Sequence, residues 1–286
     1  MKKWLLILAR ILIAIAAMYF ALRNINWREL GQLGWNASLI WLLPAFVFYN
    51  ISQCISAYRL LQFYKILQPG ISYSYNLGLY YKGMFYNLFL PGGVGGDAYK
   101  IITLKKSGST YKQLTTATLL DRINGLSILV LIITLLSNLV SLQGWYDDFF
   151  SLLPLLMAIG LPGFWLIVYF YFKPFNKVLP VTGLISVLVQ GLQLLSFYCI
   201  LYALQSDSGP FTEHALVFFV SSVISALPFS IGGIGTRELA MATGAAYFHF
   251  SATKMVSASL LLFLLIVISS LAGWAISSAA SKRDTE

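Results

Sequence analysis

Residues 90–100 read LPGGVGGDAYK, and residues 227–238 read LPFSIGGIGTRE. Each stretch closes a short apolar run, Tyr75–Leu90 in the first case and Ala215–Phe229 in the second. How the chain passes these two turns decides the fold. Laid on one another they share a Gly-Gly-apolar-Gly core, in which Gly92, Gly93 and Gly95 match Gly232, Gly233 and Gly235. Glycine reaches positive φ at little cost, so these residues, with Gly96, let the chain reverse in a small space. Proline lacks an amide proton and suits a residue beside a helix break; Pro91 and Pro228 stand there.

The surroundings are those of a bilayer protein. Of 286 residues, 58% are hydrophobic and 10% charged, whereas soluble domains carry roughly a quarter charged residues. Six runs approach the ~20 apolar residues that a spanning helix needs: Trp4–Leu22, Leu39–Tyr58, Leu119–Val140, Pro154–Phe172, Leu184–Tyr202 and Ala258–Ser278. The first has a longer apolar region than a secretory signal and is broken by Arg10, so it reads as a retained helix. The net charge of +9 is spread without a dense basic run. It points to cytoplasmic loops and anionic headgroups rather than to nucleic acid. Cys54 and Cys199 sit in apolar runs, and His214 and His249 lie far apart. No disulfide, metal site or cofactor is expected from them.

Charge in the loops sets a topology. With Lys2 and Lys3 in the cytoplasm, Arg59 and Lys65 fall inside, and the segment holding Lys100, Lys105, Lys106 and Lys112 belongs inside too. The run between them, Tyr75–Leu90, then has to enter and return on one face. Asp147 and Asp148 fall outside, Lys173 and Lys177 inside, and Asp207 and Glu213 outside. For the last helix to end inside at Lys282 and Arg283, Ala215–Phe229 must also turn back, from the outer face. Arg23 and Arg28 are the exceptions to the rule. The expected fold is an all-α integral membrane protein with six full spans and two re-entrant helical hairpins, near 75–100 and 214–248. The whole chain, 1–286, forms a single polytopic domain, and its halves read as an inverted repeat. Paired interrupted segments in two halves point to a binding site near the midplane.

Charges near those turns carry the chemistry. Asp97, Lys100, Asp121, Arg122, Arg237 and Glu238 lie in or beside apolar segments. An ionised side chain at the bilayer centre costs about 2.5–3.5 kcal/mol on insertion scales, so it usually faces the bundle interior. Structural ion pairing is the plainer reading of Asp121 and Arg122. Asp97 and Arg237 hold equivalent places after the matched glycine, so opposite charges on the two tips are expected to meet. Amides at a broken helix start, with Arg or Lys, make an anion pocket, and an arginine fork suits phosphate oxygens. Neither turn has the Gly-Lys-Ser/Thr of a nucleotide loop, and no Ser-His-Asp set exists. Tyr80, Tyr81, Phe85 and Tyr86 read as packing aromatics rather than a cage for a cation.

In order, YYKGMFYNLFLPGGVGGDAYK, ATLLDRINGL and ALPFSIGGIGTRE resemble the transmembrane flippase region of lysylphosphatidylglycerol synthases and its stand-alone relatives. The resemblance covers nearly the whole chain. Asp121 stands where that family has Glu, Lys100 where it often has Arg, and Arg59 in SAYRLL matches a family position. The family's downstream Asp is missing at Asn124 or Gly125. What the resemblance implies is an integral membrane protein related to lipid flippases, with two re-entrant helices; the loop charges put it in the cytoplasmic membrane with both termini inside. Since the sequence ends at Glu286, soon after its last helix, no aminoacyl transfer and no catalytic residue are expected. The expected headgroup-binding residues are Arg237, Lys100, Arg122 and Arg59. Asp97, Glu238 and Asp121 serve as charge partners or proton carriers, and the prolines and glycines of the turns as hinges. Expected partners are anionic or phosphate-bearing lipids, with a second copy of the chain or a lipid-modifying enzyme as further candidates. A membrane enzyme acting on lipid phosphate, or an accessory subunit of a glycolipid pathway, remains as the alternative.

Overall fold

The computed structural model describes residues 37–89, 95–105, 108–141, 152–205, 210–226 and 233–283, with 18–20, 22, 28, 31 and 32 before them. Its described residues form nine α-helices and a short 3₁₀ turn. Five helices are long and apolar enough to cross a membrane: α1 (Leu39–Leu67), α4 (Tyr111–Ser137), α5 (Leu153–Tyr171), α6 (Leu179–Ala203) and α9 (Ala252–Arg283). They match five of the six expected spans. The sixth, Trp4–Leu22, falls almost wholly outside the described residues.

Local sequence explains the ends. Thr110 and Gln113 form a reciprocal cap at the start of α4: Thr110 Oγ1 accepts from the Gln113 amide at 3.2 Å, and Gln113 Oε1 accepts from the Thr110 amide at 3.0 Å. Pro154 and Pro180 occupy the first turns of α5 and α6, where a missing amide proton costs nothing. The apolar runs fall short of the helices at several boundaries. α1 continues past Tyr58 through Arg59 and Lys65, and α4 begins eight residues before Leu119. Charges end an apolar run without ending a hydrogen-bond ladder.

Around each glycine turn lie two shorter helices. α2 (Tyr73–Phe89) precedes the first turn and α3 (Gly95–Lys105) follows it; α7 (Phe211–Ala226) and α8 (Thr236–Tyr247) flank the second. The arms pack on one another in both cases. A Cβ at Gly96 would collide with the Gly83 carbonyl, so α2 and α3 cross backbone to backbone there. On the other side, a Cβ at Gly244 would stand 2.6 Å from the Val217 methyls.

The halves interlock. α1 runs antiparallel to α6: the Ser38 amide bonds the Ala203 carbonyl at 3.0 Å, and Ser196 Oγ bonds the Ala45 carbonyl at 2.7 Å. α2 packs against α9, and α7 against α4, so each hairpin leans on a helix of the other half. The apolar core is divided. One cluster gathers around Ala45, Tyr49, Phe197 and Phe218, the other around Leu60, Phe63, Tyr64 and Leu79. Between them on α1 lie the buried Ser52, Gln53 and Ser56.

Candidate functional site

The charged side chains gather at two places. At the first, Asp97 in the opening turn of α3 is 8% exposed. It takes Lys100 Nζ at 2.7 Å and the Arg122 guanidinium of α4. Lys100 also stands 5.3 Å from the centre of the Tyr80 ring. Tyr80 packs against the second apolar cluster as expected, and its face also carries this one cation.

Beside it, Arg59 of α1 forks onto Asp121 of α4, with Nε–Oδ1 at 2.8 Å and Nη2–Oδ2 at 3.1 Å. Its remaining Nη1 donates to Ser186 Oγ on α6 at 2.9 Å. Gly125 makes room for this guanidinium, since a Cβ there would stand 2.7 Å from Nη1. Asn124, the neighbouring residue where an acid was sought, donates to Thr182 Oγ1 at 2.9 Å.

The second place lies at the start of α8. Gly233 and Gly235 have φ of +81° and +83°, a conformation that favours glycine, and they set Arg237 and Glu238 in the first helical turn. Glu238 is 2% exposed. It accepts from the Gly235 amide at 2.7 Å and from Ser259 Oγ of α9 at 2.7 Å. Arg237 donates through Nη2 to Ser225 Oγ at 3.1 Å. Its Nε is buried without a hydrogen-bond partner, and it forms no ion pair among the described residues.

Asp97 and Arg237 therefore do not pair as the matched turns suggested. Asp97 is neutralised on its own side. No ion pair joins the two centres among the described residues. The expected amide pocket is also altered: the Gly235 and Arg237 amides are bonded internally, and the Gly96 amide donates to Asn87 Oδ1 at 2.7 Å.

Gly95 and Gly96 are buried in the first turn of α3. Pro91, Gly92, Gly93, Pro228 and Gly232 lie outside the described residues. Sequence reasoning missed Ser186, Ser225, Ser259 and Gly125, which orient or admit the charged groups. A small residue in an apolar run gives no signal of that kind. Among the described residues, no group of three or more His, Cys, Asp or Glu side chains is placed to hold a metal ion.

No curated protein and no solved structure matches the chain. A family model does match, described as lysylphosphatidylglycerol synthase TM region, over residues 7–273. That stretch contains both glycine turns and every charged side chain of the two centres, and the chain belongs to this family of membrane proteins.

Proposed function

We propose that the protein carries a phosphate-bearing lipid between the leaflets of the cytoplasmic membrane. The single observation behind this reading is Arg237. A part-buried guanidinium among apolar helices is costly, and among the described residues it donates to one hydroxyl while its buried Nε stays unpartnered. A phosphate oxygen supplies the missing acceptor, and the planar fork suits it. Arg59, Lys100 and Arg122 stand in charge-neutralising pairs with Asp121 and Asp97. Their part in transport is to open and re-form those pairs as the headgroup passes.

In this reading the α2–α3 and α7–α8 hairpins re-enter from opposite faces, both termini lie inside, and the glycine turns act as hinges. The tails stay in the membrane beside α5, whose Leu155, Ile159, Leu166 and Phe170 face outward. Carriage of lipid, not its chemical conversion, is the activity. The test is reconstitution in liposomes with a fluorescent phospholipid and an impermeant quencher. The protein is expected to speed loss of inner-leaflet signal, and Arg237→Ala to cut that rate at least tenfold while inserting normally. Movement at the unaltered rate would remove Arg237 from the mechanism.

A further inference from the structure

From Phe149 to Ser206 the chain has no carboxylate, and its two charges are Lys173 and Lys177. Both stand exposed on the turn between α5 and α6, and neither forms an ion pair among the described residues. The turn is held in place. Phe175, between the two lysines, is buried, and its ring centre lies 6.2 Å from that of Phe63. α5 joins the bundle through Phe164, Val168 and Phe172, which meet the second apolar cluster. These recur at intervals of four, so Leu161, Trp165 and Tyr169 form the neighbouring stripe of the helix. Between that stripe and the start of α6 lies a groove of about 610 Å³, with Asn176 and Leu179 on its far side.

The groove is graded in polarity. Leu161 to Tyr169 covers about 12 Å of helix, and its wall there is apolar. Tyr169 and Asn176 mark the end nearest the lysines, where Asn176 Nδ2 reaches the Tyr169 carbonyl at 3.4 Å. Charge, then amide, then hydrocarbon is the order met along a phospholipid from headgroup to tail. Within a bilayer an apolar wall selects nothing by itself, because lipid tails are as apolar as leucine. Selection comes from the charged end. Basic side chains beside a span attract anionic headgroups, and the loop charges put this turn on the cytoplasmic side. A second copy of the chain fits less well. Of the four carboxylates among the described residues, Asp97, Asp121 and Glu238 are buried, and Glu213 belongs to the opposite face by the same loop charges. None of the four is placed to meet the lysines of a neighbouring molecule.

We propose that this groove holds a resident anionic phospholipid: one acyl chain lies along Leu161, Trp165 and Tyr169, and the phosphate meets Lys173 and Lys177. The lipid is a bound component, not cargo, and it sits on a different face of α5 from Leu155, Ile159 and Phe170. The site therefore stands or falls apart from the transport reading. Quenching of Trp165 tests it, since that ring both lines the groove and is open to lipid. The full chain is reconstituted in phosphatidylcholine vesicles, and phosphatidylglycerol or phosphatidylcholine with a brominated acyl chain is added in steps. The signal is the part of the fluorescence that Trp165→Phe removes. Brominated phosphatidylglycerol is expected to quench it at a mole fraction at least fivefold lower than brominated phosphatidylcholine, about fivefold being the share of one lysine at a membrane surface. Lys173→Glu combined with Lys177→Glu abolishes the difference and leaves quenching by phosphatidylcholine as it was. Equal quenching by the two lipids in the unaltered chain overturns the proposal, because that is ordinary bilayer contact. A preference that survives in the double variant overturns it too, as does a Trp165 shielded from both lipids by a second copy of the chain.

Discussion

Arg59 and Asp121 meet through two parallel contacts of 2.8 and 3.1 Å, although 62 residues separate them in sequence. Their side chains are 12% and 9% exposed. The pair joins α1 to α4 inside the bundle, where each charge is tolerable only because of the other. Removing one partner is therefore far worse than removing both. Asp121→Ala is expected to lower stability by about 3–5 kcal/mol, measured by chemical unfolding in mixed micelles. Arg59→Met combined with Asp121→Leu recovers most of that loss. Additive losses in the double variant would show that the two side chains are not coupled.

Gly125 is tied to the same pair. Its missing side chain leaves space for the Arg59 guanidinium. Gly125→Ala displaces only the flexible end of an arginine and is expected to be mild, whereas Gly125→Val costs about 1–3 kcal/mol through overpacking. In an Arg59→Met background that cost shrinks, which a double-mutant cycle reads directly. An undiminished cost would place the steric conflict elsewhere.

At the second centre, geometry and charge separate cleanly. Arg237→Lys keeps the charge and loses the fork, so lipid movement drops at least tenfold with insertion intact. Ser225→Ala removes the one hydroxyl holding Nη2 and slows movement about fivefold, the equivalent of one hydrogen bond. A full rate in both variants would mean the guanidinium has no part in moving lipid.

The proposed re-entry of the hairpins predicts a labelling pattern. Ser74 and Lys112 are exposed on either side of the α2–α3 hairpin, and Phe211 and Ser251 bracket α7–α8. As single cysteines, Ser74→Cys and Lys112→Cys should react with an impermeant maleimide from one face. Phe211→Cys and Ser251→Cys should react from the other. Ser74 and Lys112 labelled from opposite faces would mean that the hairpin crosses.

The spans were legible because a helix in hydrocarbon must be apolar along its length: five of the runs read from sequence are the cores of α1, α4, α5, α6 and α9. The hairpin arms were legible too, from short runs closed by glycines. Pairing was not. Asp97 and Arg237 match in sequence, yet Asp97 finds Lys100 one turn along its own helix and Arg122 on the next. A nearby cation outcompetes a distant one, and similarity of motif says nothing about distance.

The crossing of the two halves bears on how the chain is made. Synthesis runs from the N-terminus, so α2 reaches the membrane long before α9, the helix it packs against. Until then Tyr81 has no Gly273 to rest on, and Asn50 lacks the Ser269 hydroxyl it bonds at 2.9 Å. A nascent protein stopped before Ala252 would hold an orphaned hairpin. The final helix therefore completes the bundle as well as ending it.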